Sequence, residues 1–201
     1  MTSELAYATL LQYISSRIDI SDSDTDIIKQ NFHLKEIKKK EYFLKEGEVR
    51  FNQAFIISGC FRVFYRDQKS AEHVLYFGFK EWWIGDIAAL QTDQPSKFNV
   101  QALEDSWILE FSNEDVDNLL SKVSKFEHLF RVMTQRKLSL LQNRFLMTIS
   151  ASAEERYLDL IKKQPRIEQL IPQKQIASYL GIMPESLSRM KKQLLEKAGK
   201  K

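Results

Sequence analysis

Glu185, Ser186, Arg189 and Lys192 stand at i, i+1, i+4 and i+7, the spacing that gathers four side chains on one flank of a helix. Their chemistry suits double-stranded DNA. A glutamate accepts from cytosine N4, an arginine donates to guanine O6 and N7, and hydroxyl and ammonium groups reach phosphate oxygens. Lys174, a short way upstream, adds another cation. To aim this flank, the opposite one must be anchored, and Leu187, Met190 and Leu194 repeat there at i, i+3 and i+7. Ile176, Ala177 and Leu180 share a face of a shorter segment just before it. Gly181 between them permits a left-handed turn, Ile182 plugs the corner, and Ala177 is small enough for a close crossing. The stretch Gln173–Leu194 is therefore predicted to be a helix-turn-helix with an outward reading face.

An ordinary helical hairpin within a core would show the same apolar spacing. Charge separates the two readings. From Lys162 onward there are ten basic residues and three acids, whereas residues 1–161 hold 20 basic and 24 acidic ones. The chain as a whole carries only +3. Concentrating cations beside the predicted reading helix is what attraction to phosphate requires.

At 201 residues and 43% hydrophobic content, the chain has material for one large domain or two small ones. Cys60 is the single cysteine, which excludes a disulfide framework or an iron–sulfur cluster within one chain and fits a reducing cytoplasm. His33, His73 and His128 are scattered too widely for a metal motif, so neither metal nor cofactor is expected. The N-terminus has no basic stretch followed by a long apolar run, and no membrane span is in view.

The elements that must carry the reading face change character along the chain. Leu5, Leu10, Leu11, Ile14 and Ile18 predict an amphipathic first helix, and Ser21–Asp24 a cap for the next. From about Leu34 to Phe111 the period becomes two. Phe61, Val63 and Tyr65 alternate with Arg62, Phe64 and Arg66, and Phe98, Val100 and Ala102 alternate likewise. Short apolar runs at Phe55–Ile57 and Trp107–Leu109 suit strands, and turn signals recur at Gly47, Gly59, Asp67–Ser70 and Asp93–Ser96. This predicts a jelly roll. Ser112 then caps a helix, and a second helix runs from about Ser124 to Ile149, roughly 37 Å at 1.5 Å per residue. Phe126, Phe130, Met133, Leu138, Leu141 and Phe145 place apolar side chains on more than one of its faces, which predicts pairing with a second copy along it. A helix buried wholly within one protomer is the alternative. Ser152–Glu155 reads as a capping box and Gln164-Pro165 as a stop. The expected division is thus residues 1–149, a roll with its long helix at about 124–149, and residues 150–201.

A roll, a long helix and a C-terminal helix-turn-helix, in that order, resemble the Crp/Fnr family of bacterial transcription regulators. Tyr42-Phe43-Leu44-Lys45-Glu46-Gly47-Glu48 looks like the first hairpin of a cyclic-nucleotide-binding fold. Phe55–Val63 is similar to its next strand pair with Gly59 at the turn, and Trp83-Ile84-Gly85-Asp86-Ile87 falls where the family has Phe-Gly-Glu-Leu. The resemblance implies an α+β chain with a double-stranded β-helix. It further implies a homodimer whose paired reading helices meet half-sites roughly 34 Å apart, with a small-molecule effector and RNA polymerase as further partners.

Departures from the pattern set further expectations. Gly85, Asp86, Ile87, Ser96 and Lys97 are the residues that match the family's nucleotide site. Asp86 is shorter than the family's Glu, and Ser96 stands where an Arg neutralises the cyclic phosphate, so cyclic AMP bound in the usual way is not expected. Lys97 offers a point charge if the loop is shifted by one residue, and Gly85-Asp86 also reads as a turn that closes the roll. Trp82 and Trp83 either line a pocket or fill the core. Met183 stands at the usual cap position of the reading helix and Pro184 at its first turn, where relatives carry an Arg. The chain stops at Lys201, so the β-hairpin wing of most relatives is expected to be missing. Lys197, Lys200 and Lys201 either replace its phosphate contacts or form a solvated tail. The rival readings are a ligand-sensing or protein-interaction module that no longer binds DNA tightly, and a cupin-like enzyme. The enzyme lacks the clustered histidine and carboxylate ligands it would need, and no catalytic residue is expected.

Overall fold

The computed structural model describes residues 1–49, 52–86 and 94–198. Ile87, Asp93, Lys200 and Lys201 lie outside the described residues.

Helix α1, Ser3–Ser15, starts where the Thr2 hydroxyl accepts from the Leu5 amide, and it buries Ala6, Leu10, Tyr13 and Ile14 along one face. Helix α2, Asp22–Asn31, opens with the reciprocal Ser21–Asp24 capping box. Eight strands follow: β1 His33–Ile37, β2 Tyr42–Leu44, β3 Gln53–Ser58, β4 Phe61–Arg66, β5 Glu72–Gly78, β6 Trp83–Ile84, β7 Asn99–Ala102 and β8 Ser106–Phe111. They form two antiparallel four-stranded sheets, ordered β1-β8-β3-β6 and β2-β7-β4-β5. Gly59 joins β3 to β4 at φ +101°, and a Cβ there would sit 2.0 Å from Ser106 Oγ. Only glycine fits that corner.

Alternation along the strands divides side chains between three clusters. Ala54, Ile56, Phe61, Val63, Ile84, Val100 and Ile108 fill the space between the sheets. Phe55, Ile57, Leu109 and Phe111 point the other way, into a second cluster with α1, α2, helix α3 (Asn113–Lys122) and the first turn of helix α4 (Phe126–Ser150). That double burial explains why β3 is an unbroken apolar run rather than an alternating one. Cys60, Phe64, Val74 and Phe77 belong to the third cluster, together with the C-terminal helices: α5 Ala153–Lys163, α6 Ile167–Leu170, α7 Gln173–Leu180 and α8 Pro184–Ala198. Ser112 with Asp115 and Ser152 with Glu155 form the capping boxes that open α3 and α5. Among the described residues, no group of three or more metal-ligating side chains comes together, and no helix is long and apolar enough to cross a membrane.

Candidate nucleic-acid interface

Helices α7 and α8 meet across Gly181, at φ +69°. The Gly181 amide donates to the Ser178 carbonyl and the Ile182 amide to the Ala177 carbonyl at 3.0 Å, the paired bonds of a Schellman stop. Ile176, Ala177 and Leu180 face Leu187 and Met190 across a buried crossing, with Ile182 and Leu194 at its margin. The Gln173 amide donates to Ser188 Oγ and the Pro184 carbonyl, a strut between the starts of the two helices. Met183 is exposed, and its carbonyl accepts the first helical bonds of α8, from the Ser186 and Leu187 amides. Sequence reasoning missed the strut, because nothing in the spacing marks Gln173 or Ser188 as partners.

Glu185, Arg189, Lys192 and Lys174 are exposed, their side chains make no hydrogen bond or ion pair with any described residue, and Ser186 is half-buried among them. Other cations of this end are engaged. Lys191 pairs with Glu168, Lys197 lies 3.3 Å from Glu154, and Lys163 lies 2.7 Å from Asp159. Burial pushes the Glu168 carboxyl up, but the bonds from Lys191 and Tyr157 outweigh it and hold that group below the usual range. The regional charge surplus therefore overstates the free charge; Arg189, Lys192 and Lys174 remain unpaired among the described residues, as do Lys162 and Arg166 away from α8.

The two-helix unit is braced against the roll. Ser178 Oγ donates to the Glu72 carbonyl at 2.7 Å and accepts from the Val74 amide at 3.0 Å. Arg144 of α4 donates to the carbonyls of Val74 and Tyr179, both at 2.9 Å, and stacks on the Tyr179 ring. A lone Arg between Leu140 and Met147 on the inward flank of α4 is the signal that would have found this brace.

On α4 the predicted pairing stripe divides in two. Phe126 is buried in the protomer's own second cluster, Met133 packs against that cluster, and Phe130 is half-buried. Phe126 is therefore corrected from a pairing residue to a core residue, because the first turn of α4 is what seats the helix on the roll. Leu138, Leu141 and Phe145 are 55%, 40% and 66% exposed, and Leu146 and Ile149 extend the bare face.

In the roll, Gly85 takes φ +137° and Asp86 is buried beside it. Ser96, also buried, donates from Oγ to Asp86 Oδ2 at 2.9 Å, while its backbone exchanges hydrogen bonds with Gly47 and Glu48. Lys97 points to solvent. The acid that would hold a ribose and the residue at the phosphate position are thus bonded to each other. These residues do not fit a cyclic nucleotide held through an arginine–phosphate pair. Trp83 packs edge-on against Tyr13, Phe32 and Phe111, and Trp82 packs against the cluster between the sheets; both are half-buried.

Residues 34–123 match the family model of the cyclic nucleotide-binding domain. The chain superimposes on FixK2 of Bradyrhizobium japonicum with a TM-score of 0.72 at 15% identity, covering 83% of this chain and 86% of that one. It superimposes equally on the c-di-GMP responsive global regulator CLP of Xanthomonas campestris, at 0.72 and 11% identity over 89% and 93%. A third structure, described as a putative transcriptional regulator of the Crp/Fnr family from Eubacterium rectale, gives 0.71 at 16% identity over 89% and 85%. No curated protein matches the sequence. Residues 34–123 are thus similar to a cyclic nucleotide-binding domain, and the chain shares, over most of its length, the fold of FixK2, CLP and the Eubacterium rectale protein.

Proposed function

We propose that this chain is a cytoplasmic DNA-binding transcription regulator. It works as a homodimer paired along the bare half of α4, through Leu138, Leu141 and Phe145. Glu185, Ser186 and Arg189 read base edges, and Lys192 and Lys174 hold phosphates. It does not respond to cyclic AMP held by an arginine–phosphate pair. The observation that carries the reading is the free, exposed Glu185–Lys192 face on a helix whose opposite flank is locked in a core.

Selection of bound duplexes from a random pool tests it. The expected result is a two-fold motif with half-sites about one helical turn apart, bound by a dimer in sedimentation. Affinity for every duplex weaker than about 10⁻⁴ M at low salt would overturn DNA binding, and would favour a ligand-sensing module instead.

A further inference from the structure

Gln173 opens α7 and Ser188 lies one turn into α8, and both side chains are exposed. The Gln173 side-chain amide reaches across the turn between the helices. Its nitrogen donates to Ser188 Oγ and, at 3.4 Å, to the Pro184 carbonyl. A carbonyl can only accept, so it is the nitrogen of this amide that faces α8. The Oε1 atom is left as an acceptor with no partner among the described residues.

The same contact fixes what Ser188 can do. A serine or threonine inside a helix often returns its hydroxyl proton to the carbonyl four residues back. Thr148 does so to Arg144 at 2.9 Å, and Ser150 to Leu146 at 2.7 Å. For Ser188 that carbonyl belongs to Pro184, and its two lone pairs are taken by the Ser188 backbone amide and the Gln173 side chain. Ser188 Oγ accepts from Gln173 and makes no bond back to α8, so its own proton is free to be donated outward.

We infer that Gln173 and Ser188 form one reading unit for adenine, in which Gln173 is a specificity-determining residue supplied by the first of the two helices. The free amide oxygen accepts from adenine N6, and the Ser188 hydroxyl donates to N7. Adenine alone among the bases sets a donor beside an acceptor on its own major-groove edge; guanine shows two acceptors, cytosine a donor, and thymine an acceptor and a methyl group. The two side chains are tied together before DNA arrives, so less rotamer freedom is lost on binding. The inference rests on the DNA-binding reading of α8 and adds to it the base that this pair selects.

Base analogues in the duplex selected from the random pool test it. At one adenine of each half-site, purine lacks the N6 amino group and 7-deazaadenine lacks the N7 acceptor. Each should weaken binding by about tenfold, and neither should matter outside the half-sites. Gln173→Met should bind the purine and adenine duplexes equally, and Ser188→Ala should be indifferent to 7-deazaadenine. Both variants should keep the parent's urea midpoint and salt slope, because the two residues are exposed and are not placed on phosphates. Half-sites without such an adenine, analogues that the unaltered protein binds as well as adenine, or variants that weaken evenly on every duplex overturn the inference and leave DNA binding standing. Retention of no duplex at all overturns it together with the regulator reading.

Discussion

Two places in this molecule answer to functional sites of the same fold, and they differ in what their polar groups are doing. At the roll, the Ser96 hydroxyl and the Asp86 carboxylate are buried and bonded to each other. On α8, Arg189 and Lys192 stand in solvent with no side-chain partner among the described residues, on a helix that Leu187 and Met190 fix from behind. A polar group already satisfied inside the fold is structure, because a ligand would have to break one bond to make another. A charged group held out by a rigid element has its hydrogen-bonding capacity in reserve. The helix that lies between the two sites repeats the lesson: its first turn is core, and one flank of its second half is bare.

The largest test removes the support of the open face. Leu187→Ala should cost about 2–5 kcal/mol of stability and abolish duplex retention, while the roll's tryptophan fluorescence survives to higher urea. If retention persists, the reading face does not depend on the crossing. Next come two substitutions of similar size with opposite readouts. Arg189→Ala should lose about 1–3 kcal/mol of discrimination at one base pair, measured by competition between single-base operator variants. Ser96→Ala should lower the unfolding free energy by about 1–3 kcal/mol and leave DNA affinity unchanged. Tight, specific binding of cyclic AMP by the unaltered protein would break the comparison from the roll's side. Lys192→Ala is smaller still: affinity falls evenly for all sequences and the log–log salt slope drops by about 1.

The smallest concerns the cluster where the roll meets the C-terminal helices. Burial first, then the nearby Glu104, push the Cys60 thiol up to about 12. The folded protein keeps it protonated where an unfolded chain ionises it, so this group makes stability fall as pH rises above the ordinary thiol range. Alkylation at pH 8 should be slow in the native protein and fast in denaturant, followed by mass spectrometry.

Spacing was enough for most of the elements and for which flank of α8 is covered, because periods of two and of three to four report directly on which sides are buried. Ser21, Ser112 and Ser152 were legible as caps for the same local reason. Tertiary partners were not. Phe126 has the same hydrophobicity as Phe145, and only the fold decides that one is sealed in and the other bare. Gln53 reads as a polar start to an apolar strand, and nothing local shows that Gly85 gives its amide room. Arg144 and Ser178 join elements far apart in sequence, so their roles emerge only once β5, α4 and α7 are assembled.

Strand β5 lies at the outer border of its sheet. The Val74 amide and the carbonyls of Glu72 and Val74 are met there by Ser178 and Arg144 rather than by another strand. An unguarded sheet border is a template for stacking onto other chains. The docked C-terminal helices thus cover this border: variants that release them are expected to scatter light on standing, even when both halves stay folded.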